Sequence, residues 1–217
     1  MAKPQLVQIQ VPKGDAKLLR TIDDAFARVA DKSGAWLVCK PGCSQCCHGP
    51  FPISQLDAVR LRLGLEQLAL TDPGKAAAIR RRAQHAVARL AASFPGDPKT
   101  GLLSTDEAAI ERFEDYADDE PCPALSASHS KDGGGRCELY AARPLTCRVF
   151  GPPMQSLHMG DTIALGHCEL CYHGATPEEV AACELDPGTD ALEEKLNDQV
   201  EKRSGVRGQT IIAFALR

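Results

Sequence analysis

The sequence predicts a mainly α (α+β) fold, in which helices surround an irregular, cysteine-rich core that also carries a β-hairpin and a small terminal sheet. Three observations predict this fold. Most segments outside the cysteines place apolar residues at helical spacing. The ten cysteines gather in a region rich in turn residues, and alternating apolar and polar residues are confined to short stretches. With 217 residues, the chain is expected to form a single domain, residues 1–217.

The first predicted elements are a short strand and an amphipathic helix. Residues 6–11, LVQIQV, alternate apolar and polar side chains as a half-buried strand does, and Pro12 ends the strand. Asp15 is the predicted N-cap of a helix over residues 15–34, because apolar side chains recur there at helical spacing. We expect this helix to bury one face against the core.

A helical insert of approximately residues 54–117 is predicted to contain three helices. Ser54 is the predicted N-cap of the first helix. Pro73 stands in the first turn of the second, where the missing N–H of proline costs nothing. Ser104 and Glu107, three residues apart before an apolar run, predict a capping box for the third.

The last part of the chain predicts shorter elements. Residues 154–167, MQSLHMGDTIALGH, are typical of a hairpin that turns at residues 160–161. Thr176 and Glu179 predict a capped short helix. Residues 186–217 predict a C-terminal helix followed by a strand, QTIIAFALR, which is expected to pair with the first strand.

The cysteines define a core region of approximately residues 37–172. Four of them fall within nine positions as C-x3-C-x2-C-C, and a C-x2-C pair comes late in the chain. Cys183 stands apart on a predicted helix and is expected to be a small buried apolar side chain. The other nine are candidate metal ligands, one more than two four-cysteine sites require: Cys39, Cys43, Cys46, Cys47, Cys122, Cys137, Cys147, Cys168 and Cys171.

Thiolate sulfur is the ligand that soft metals prefer, and one tetrahedral centre takes four such ligands. A C-x2-C turn lets both of its sulfurs face one centre. The adjacent Cys46 and Cys47 are expected to point in divergent directions, so that one tetrahedral ion rarely takes both. The pattern therefore favours an iron–sulfur cluster or a pair of sites over a single zinc ion. A disulfide framework is less expected in a reducing compartment.

Composition argues against several classes of partner. The net charge is −4, the pI is about 5.9 and aromatic residues make up 5%, so we expect neither a basic face for nucleic acid nor a stacking platform. No apolar stretch approaches the length of a membrane-spanning helix, and the first residues lack the pattern of a signal peptide. The expectation is a cytoplasmic protein that binds neither nucleic acid nor membrane.

Several segments carry a family resemblance. They are the first four cysteines, CPAL at residues 122–125, CELYAARPLTCR at residues 137–148, and the late cysteine pair. Together they resemble the YkgJ-type cysteine-cluster family (CxxCxxCC), whose members are described as zinc- or iron-chelating. The resemblance covers residues 37–172 and implies a metal-binding protein, often an iron–sulfur one. Flagellin lysine-N-methylases resemble the same family, but this sequence has no G-x-G-x-x-G loop after a strand.

Basic and imidazole side chains flank the cysteines. Iron–sulfur clusters carry net negative charge, and hydrogen bonds to their sulfurs tune the reduction potential. Arg143 and Arg148 are therefore predicted to contact the cofactor as second-shell donors; a salt bridge to the acidic residues 115–120 is the alternative. His48 and His167 each neighbour a cysteine, and they are predicted either to bond nearby groups or to ligate metal in a mixed Cys/His site.

The sequence favours an iron–sulfur protein with a [4Fe-4S]-like cluster and a role in electron transfer, redox sensing or assistance to an oxidoreductase. Its expected partner is a protein, either a redox partner or a substrate. One alternative is a structural zinc-binding interaction module, and another is a metal-dependent protein-modifying enzyme of the lysine methylase kind. A cysteine nucleophile beside His48 is a further alternative, although adjacent residues rarely meet at productive geometry. The sequence assigns no catalytic residue.

Overall fold

The computed structural model describes residues 10–40, 42–114, 116–126, 135–157 and 163–217. They form eight α-helices: α1 (Asp15–Ser33), α2 (Gln55–Thr71), α3 (Pro73–Leu90), α4 (Glu107–Glu114), α5 (Leu145–Val149), α6 (Pro177–Ala182), α7 (Asp190–Ser204) and α8 (Ile212–Leu216). Two antiparallel strand pairs accompany them: β1 (Gly96–Asp97) with β2 (Leu102–Leu103), and β3 (Met154–Leu157) with β4 (Ile163–Gly166). The predicted mainly α class is confirmed. None of the helices in these ranges is long and apolar enough to cross a membrane.

Three helices begin where the sequence predicts a start. The Ser54 side chain accepts a hydrogen bond from the Asp57 amide at 3.1 Å and caps α2. Pro73 is the first residue of α3. A complete capping box between Thr176 and Glu179 starts α6. These predictions are confirmed because a cap depends on residues within one helical turn.

Two other helix starts differ from the prediction. Helix α1 begins at Asp15, but the carboxylate of this residue is buried and accepts hydrogen bonds from Arg60 instead of capping the helix. Helix α4 begins at Glu107, but Ser104 does not close a box with it. The Ser104 hydroxyl accepts from the Asp106 amide at 3.1 Å and donates to the Asp106 carboxylate at 2.9 Å. In both places the side chain bonds a polar group other than the backbone amide that the predicted cap requires.

The predicted hairpin is confirmed as β3 and β4. Met154 pairs with Gly166, and Leu157 pairs with Ile163. The predicted turn at residues 160–161 lies outside the described residues. The hairpin leads directly into the late cysteine pair, so its register places that pair beside the residues that precede β3.

The predicted C-terminal strand is wrong, because residues 212–216 form α8. An apolar run this short is compatible with either a buried strand or a buried helix. Every residue from 211 to 216 is buried, and α8 packs against both α2 and α3. Just before the helix, Thr210 and Ile53 exchange backbone hydrogen bonds of 2.8 and 3.0 Å. The predicted partner strand lies mostly outside the described residues.

Two apolar clusters position the cysteines. The main core joins α2, α3, α8 and the segments around Ala124 and Leu139, and Cys122, Cys137 and Cys147 pack partly buried against it. A smaller satellite core consists of the buried residues Cys168, Cys171, Tyr172 and Cys183, with Trp36, Leu37, Ala175 and Val180 packed around them. Cys122, Cys137 and Cys147 therefore pack in one part of the molecule, and Cys168, Cys171 and Cys183 pack in another.

A buried ion network connects α1, α2 and α5. The Arg60 guanidinium donates to Asp15 and to Asp57, and all three residues are at most 5% exposed. The Asp57 carboxylate also accepts from the amide of Leu145, the first residue of α5, at 3.1 Å. Because α5 carries Cys147, this network sets where that cysteine stands.

Candidate metal centre

Backbone pairing brings three distant cysteine segments together. The Cys122 amide donates to the Cys47 carbonyl at 2.8 Å, and the Gly49 amide donates to the Glu120 carbonyl at 3.0 Å. The segment after Cys122 then pairs with the one around Cys137, since the Glu138 amide donates to Ala124 at 2.8 Å and Ser126 donates to Arg136 at 2.9 Å. Helix α5 completes the arrangement with Cys147.

These contacts define an inner group of five thiols: Cys46, Cys47, Cys122, Cys137 and Cys147. Burial, together with the neighbouring Cys122, Cys46 and Cys137, raises the pKa of the Cys147 thiol. Burial likewise raises the pKa of Cys122 to about 12, with a further contribution from Cys137. Apolar surroundings disfavour the thiolate, so most of these sulfurs stay protonated unless a cation joins them.

Cys46 is the exception in the inner group. A hydrogen bond from the Cys47 thiol is the main cause that lowers the Cys46 pKa to about 6, and Arg143 and His48 lower it further. The adjacent pair lies on one turn of 3-10 helix, Gln45–Cys47. The divergence of the two side chains stays a prediction.

The remaining four candidate ligands form an outer group: Cys39, Cys43, Cys168 and Cys171. Cys168 and Cys171 are buried together in the satellite core, and the Cys168 amide donates to the carbonyl of Gly151, the residue that lies against Cys39. Partial desolvation of the Cys39 sulfur, together with the neighbouring Cys171, Cys43 and Cys168 thiols, raises the pKa of Cys39 to about 12, although the residue as a whole is exposed. The nine candidate ligands thus divide into five and four.

Each pair in the outer group stands on a turn. The Cys43 amide donates to the Lys40 carbonyl at 3.0 Å, and the Cys171 amide donates to the Cys168 carbonyl at 2.9 Å. Gly151 lies against the group, since a Cβ added to it would be 2.9 Å from the Cys39 sulfur. A glycine at position 151 is therefore what lets the Cys39 sulfur approach the backbone.

Arg143 and Arg148 occupy different surroundings. The Arg143 guanidinium lies 4.0 Å from the centre of the Tyr140 ring, and its charge helps to lower the pKa of Cys46. Burial raises the pKa of Cys137, and the Arg143 charge opposes that rise. The buried Nε of Arg143 has no hydrogen-bond partner among the described residues. A buried N–H without an acceptor costs free energy, and a metal-bound thiolate or sulfide would supply one.

Arg148 faces helix α1 instead. It donates to both carboxylate oxygens of Asp23 at 2.9 Å, to the Ala141 carbonyl at 2.6 Å and to the Arg143 carbonyl at 3.3 Å. Its described hydrogen bonds thus go to α1 and to backbone, so second-shell contact with a cofactor stays a prediction for this residue. The alternative salt bridge to residues 115–120 is not among these bonds.

The histidines make backbone contacts. Nδ1 of the exposed His48 lies 3.1 Å from the Ser44 carbonyl oxygen. Nδ1 of His167 lies 3.0 Å from the Cys168 carbonyl oxygen. Cys183, the predicted spare cysteine, is 2% exposed in the satellite core. Metal ligation by either histidine stays a prediction.

The donor chemistry fits a thiophilic metal or cluster. In the described part of the chain, no three Cys, His, Asp or Glu side chains already have an arrangement that could hold a metal ion. What the structure shows is two groups of thiols, the inner one brought together by backbone pairing and packing against the main core, and the outer one placed by turns and by the satellite core. The inner group also lies beside Arg143, whose buried Nε has no partner within the described residues. A metal would draw each set inward and displace its protons, because thiolates are the ligands.

A cavity of about 470 Å³ lies between the two groups. Cys46 and Cys147 of the inner group and Cys168 of the outer group line it. Its other lining residues are Gln45, His48, Gly49, Pro50, Phe51, Asp118, Thr146, Phe150 and Glu169. The Gln45 side chain donates to Glu169 at 2.5 Å across it. The sequence offers no pattern that predicts this cavity, because its walls come from four distant segments.

One family model matches the chain. It is the CxxCxxCC model, described as "Putative zinc- or iron-chelating domain", and it matches residues 38–163, which is more than half of the chain. Neither the curated proteins nor the solved structures provide a match to this chain.

Proposed function

Since the chain belongs to the CxxCxxCC family of zinc- or iron-chelating domains, we propose that it is an iron–sulfur protein whose cluster has a redox role. The cluster would be [4Fe-4S]-like and would be held by the inner group. Four of the five inner thiols, Cys46, Cys122, Cys137 and Cys147, would be its ligands. Cys47 would be the fifth thiol, beside Cys46 on the same turn of 3-10 helix.

The observation that carries this proposal is Arg143. Its charge already acts on two inner thiols, and its buried Nε has no acceptor within the described residues. Cluster and thiolate sulfurs accept N–H hydrogen bonds, and such bonds tune the potential of the cluster.

The cavity supports a redox role over a purely structural one. It exposes the edge of the inner group at Cys46 and Cys147 to a space large enough for a small molecule or a partner's side chain. A bound cluster supplies one-electron transfer. Phe51 and Phe150 would limit the access of water to that edge. The partner is a protein redox partner or substrate.

Metal and sulfide analysis after purification without oxygen tests the proposal. We expect iron and acid-labile sulfide in comparable amounts and a broad visible absorption that bleaches on reduction with dithionite. Colourless protein that contains zinc and no sulfide would contradict the proposal. Calorimetry with S-adenosylmethionine tests the lysine methylase alternative on the same preparation, because that enzyme would have to bind this donor.

The zinc alternative has one specific observation in its favour. The outer group consists of a C-x3-C pair and a C-x2-C pair, each on a turn, which is the spacing of structural zinc sites. A protein with zinc in both groups would be an interaction module without redox chemistry. The same metal analysis distinguishes it, since iron and sulfide would then be absent.

A further inference from the structure

We propose that the outer group is a metal site of its own, a closed tetrathiolate site of the zinc class that is independent of the inner group. It rests on the proposed function only for the identity of the inner cofactor. The division of the thiols into two sites stands on packing and on backbone geometry. Sequence spacing alone would place Cys43 and Cys46 in one C-x2-C site, whereas in the structure Cys43 acts electrostatically on Cys39 and Cys168.

The two groups pack against different parts of the molecule. Cys122, Cys137 and Cys147 lie against the main core, whereas Cys168 and Cys171 are buried within the satellite core. Cys39 lies on the satellite side. A Cβ added to Gly151 would be 2.9 Å from the Cys39 sulfur, and the Gly151 carbonyl accepts a hydrogen bond from the Cys168 amide at 3.1 Å.

The outer group suits a closed structural site. It offers four thiols in two short-spaced pairs, and each pair stands on a hydrogen-bonded turn. Structural zinc sites have four protein ligands with spacings of this kind and leave no open position. The inner group differs in each respect, because its thiols come from four separate segments and five are present.

The backbone around the outer group is held by specific contacts. Tyr172, directly after Cys171, has φ 60°, which is rare for a side chain of this size. Its amide donates to the Trp36 carbonyl at 2.9 Å, and its hydroxyl bonds the Ser33 hydroxyl at 2.6 Å. These contacts hold the Cys168–Cys171 turn against the end of α1, near the other pair of the outer group. A metal ion bound by both cysteine pairs would hold this turn and the segment of Cys39 and Cys43 together.

Two cysteine variants with a matched control test the independence of the sites. We expect wild-type protein to contain about one zinc ion per chain beside the inner cofactor. Cys43→Ser should lose nearly all of this zinc and keep its iron and sulfide. Cys137→Ser should lose iron and sulfide and keep its zinc. Cys183→Ser, a change beside the outer group at a residue with no ligand role, should keep both.

A second measurement covers the case in which Cys43→Ser does not fold. Wild-type protein is loaded with cobalt in place of zinc, and its visible and near-ultraviolet spectrum is recorded. The intense sulfur-to-cobalt bands of a four-thiolate tetrahedral site would support the proposal. A spectrum with oxygen or nitrogen ligands would overturn it.

The outcomes separate this inference from the proposed function. If wild-type protein holds two zinc ions, each lost in a different variant, the two-site inference holds and the iron–sulfur proposal fails. If one cofactor is lost in both cysteine variants, the thiols form a single site and the inference is overturned. In that case iron and sulfide in the wild type would still support the iron–sulfur proposal.

Discussion

The inner and outer thiol groups carry the same ligand chemistry in different mechanical settings. The inner group lies against the main core, and α5 is tied to α2 by the buried bond from Leu145 to Asp57. The outer group lies on the small satellite core, and Cys39 is exposed. A region with few buried apolar contacts opens locally at lower free energy than a large core does. Under the two-site proposal, the main core holds the inner site in place, whereas the outer site depends on its metal ion to hold two segments together.

The largest expected effect comes from removing metal with a chelator. The backbone around the outer group should lose its protection against amide hydrogen exchange, because a structural metal contributes roughly 10–16 kcal/mol to the folding of small domains. We expect amide exchange at Cys171 and Tyr172 to speed up by about 100-fold or more. Amides of α3 should change much less. Hydrogen exchange followed by mass spectrometry measures both regions. Equal acceleration in the two regions would show that the metal does not stabilise the outer group specifically.

Arg60→Ala should destabilise the whole domain by about 3–5 kcal/mol, because it leaves two buried carboxylates without a cation. Chemical denaturation measures the loss. Lys202→Ala is the control, since its ion pair with Asp198 is exposed and should contribute roughly 0.3–0.5 kcal/mol. Similar losses in the two variants would show that the buried network does not stabilise the inner region.

Gly64→Ala should disturb the inner group. A Cβ at Gly64 would be 2.3 Å from the Cβ of Ala142, which directly precedes Arg143. Overpacking costs about 1–3 kcal/mol, and the better helix propensity of alanine offsets about 1 kcal/mol of it. Gly74→Ala is the matched control, because its Cβ would meet only Asp72 at 3.5 Å. Thermal unfolding should show a loss for Gly64→Ala and none for the control.

Gly151→Ala should weaken metal binding by the outer group. The added Cβ would be 2.9 Å from the Cys39 sulfur, and φ 126° is strained for alanine. A loss of affinity for zinc of about tenfold corresponds to 1.4 kcal/mol. Gly174→Ala carries similar backbone strain at φ 81° but meets nothing within 4 Å. Competition with a zinc indicator should therefore separate the two variants, and equal affinities would mean that strain alone acts.

The smallest expected effect concerns the arginines. Arg143→Gln should lower the reduction potential of the inner cluster by roughly tens of millivolts, since it removes a positive charge beside the sulfurs. Arg148→Gln should leave the potential nearly unchanged, because its hydrogen bonds go to Asp23 and to backbone carbonyls. Spectroelectrochemistry measures both. A larger shift in Arg148→Gln than in Arg143→Gln would mean that Arg148, and not Arg143, donates to the cluster sulfurs.

Local features of the fold could be predicted from the sequence. The caps at Ser54 and Thr176 and the start of α3 at Pro73 each depend on residues within one turn. Helix α8 could not be predicted, because an apolar run of this length fits a buried strand or a buried helix equally well. Its packing against α2 and α3 decides between them.

The nine candidate ligands could be named from the sequence, but their division could not. It depends on backbone pairing between segments about 75 residues apart, such as Cys47 with Cys122. It also depends on a buried carboxylate in α2 that places α5. Spacing along the chain misleads here, because Cys43 and Cys46 are close in sequence and belong to different groups.

The division of the thiols also implies an order of biosynthesis. Along the chain, Cys39 and Cys43 precede every inner thiol, and Cys168 and Cys171 follow them all. A ribosome therefore releases the complete inner set before the outer set has its second pair. Under the two-site proposal, the inner group is therefore the first of the two to have all its ligands outside the ribosome. A metal ion bound by both outer pairs would then close the loop of chain that contains the five inner thiols.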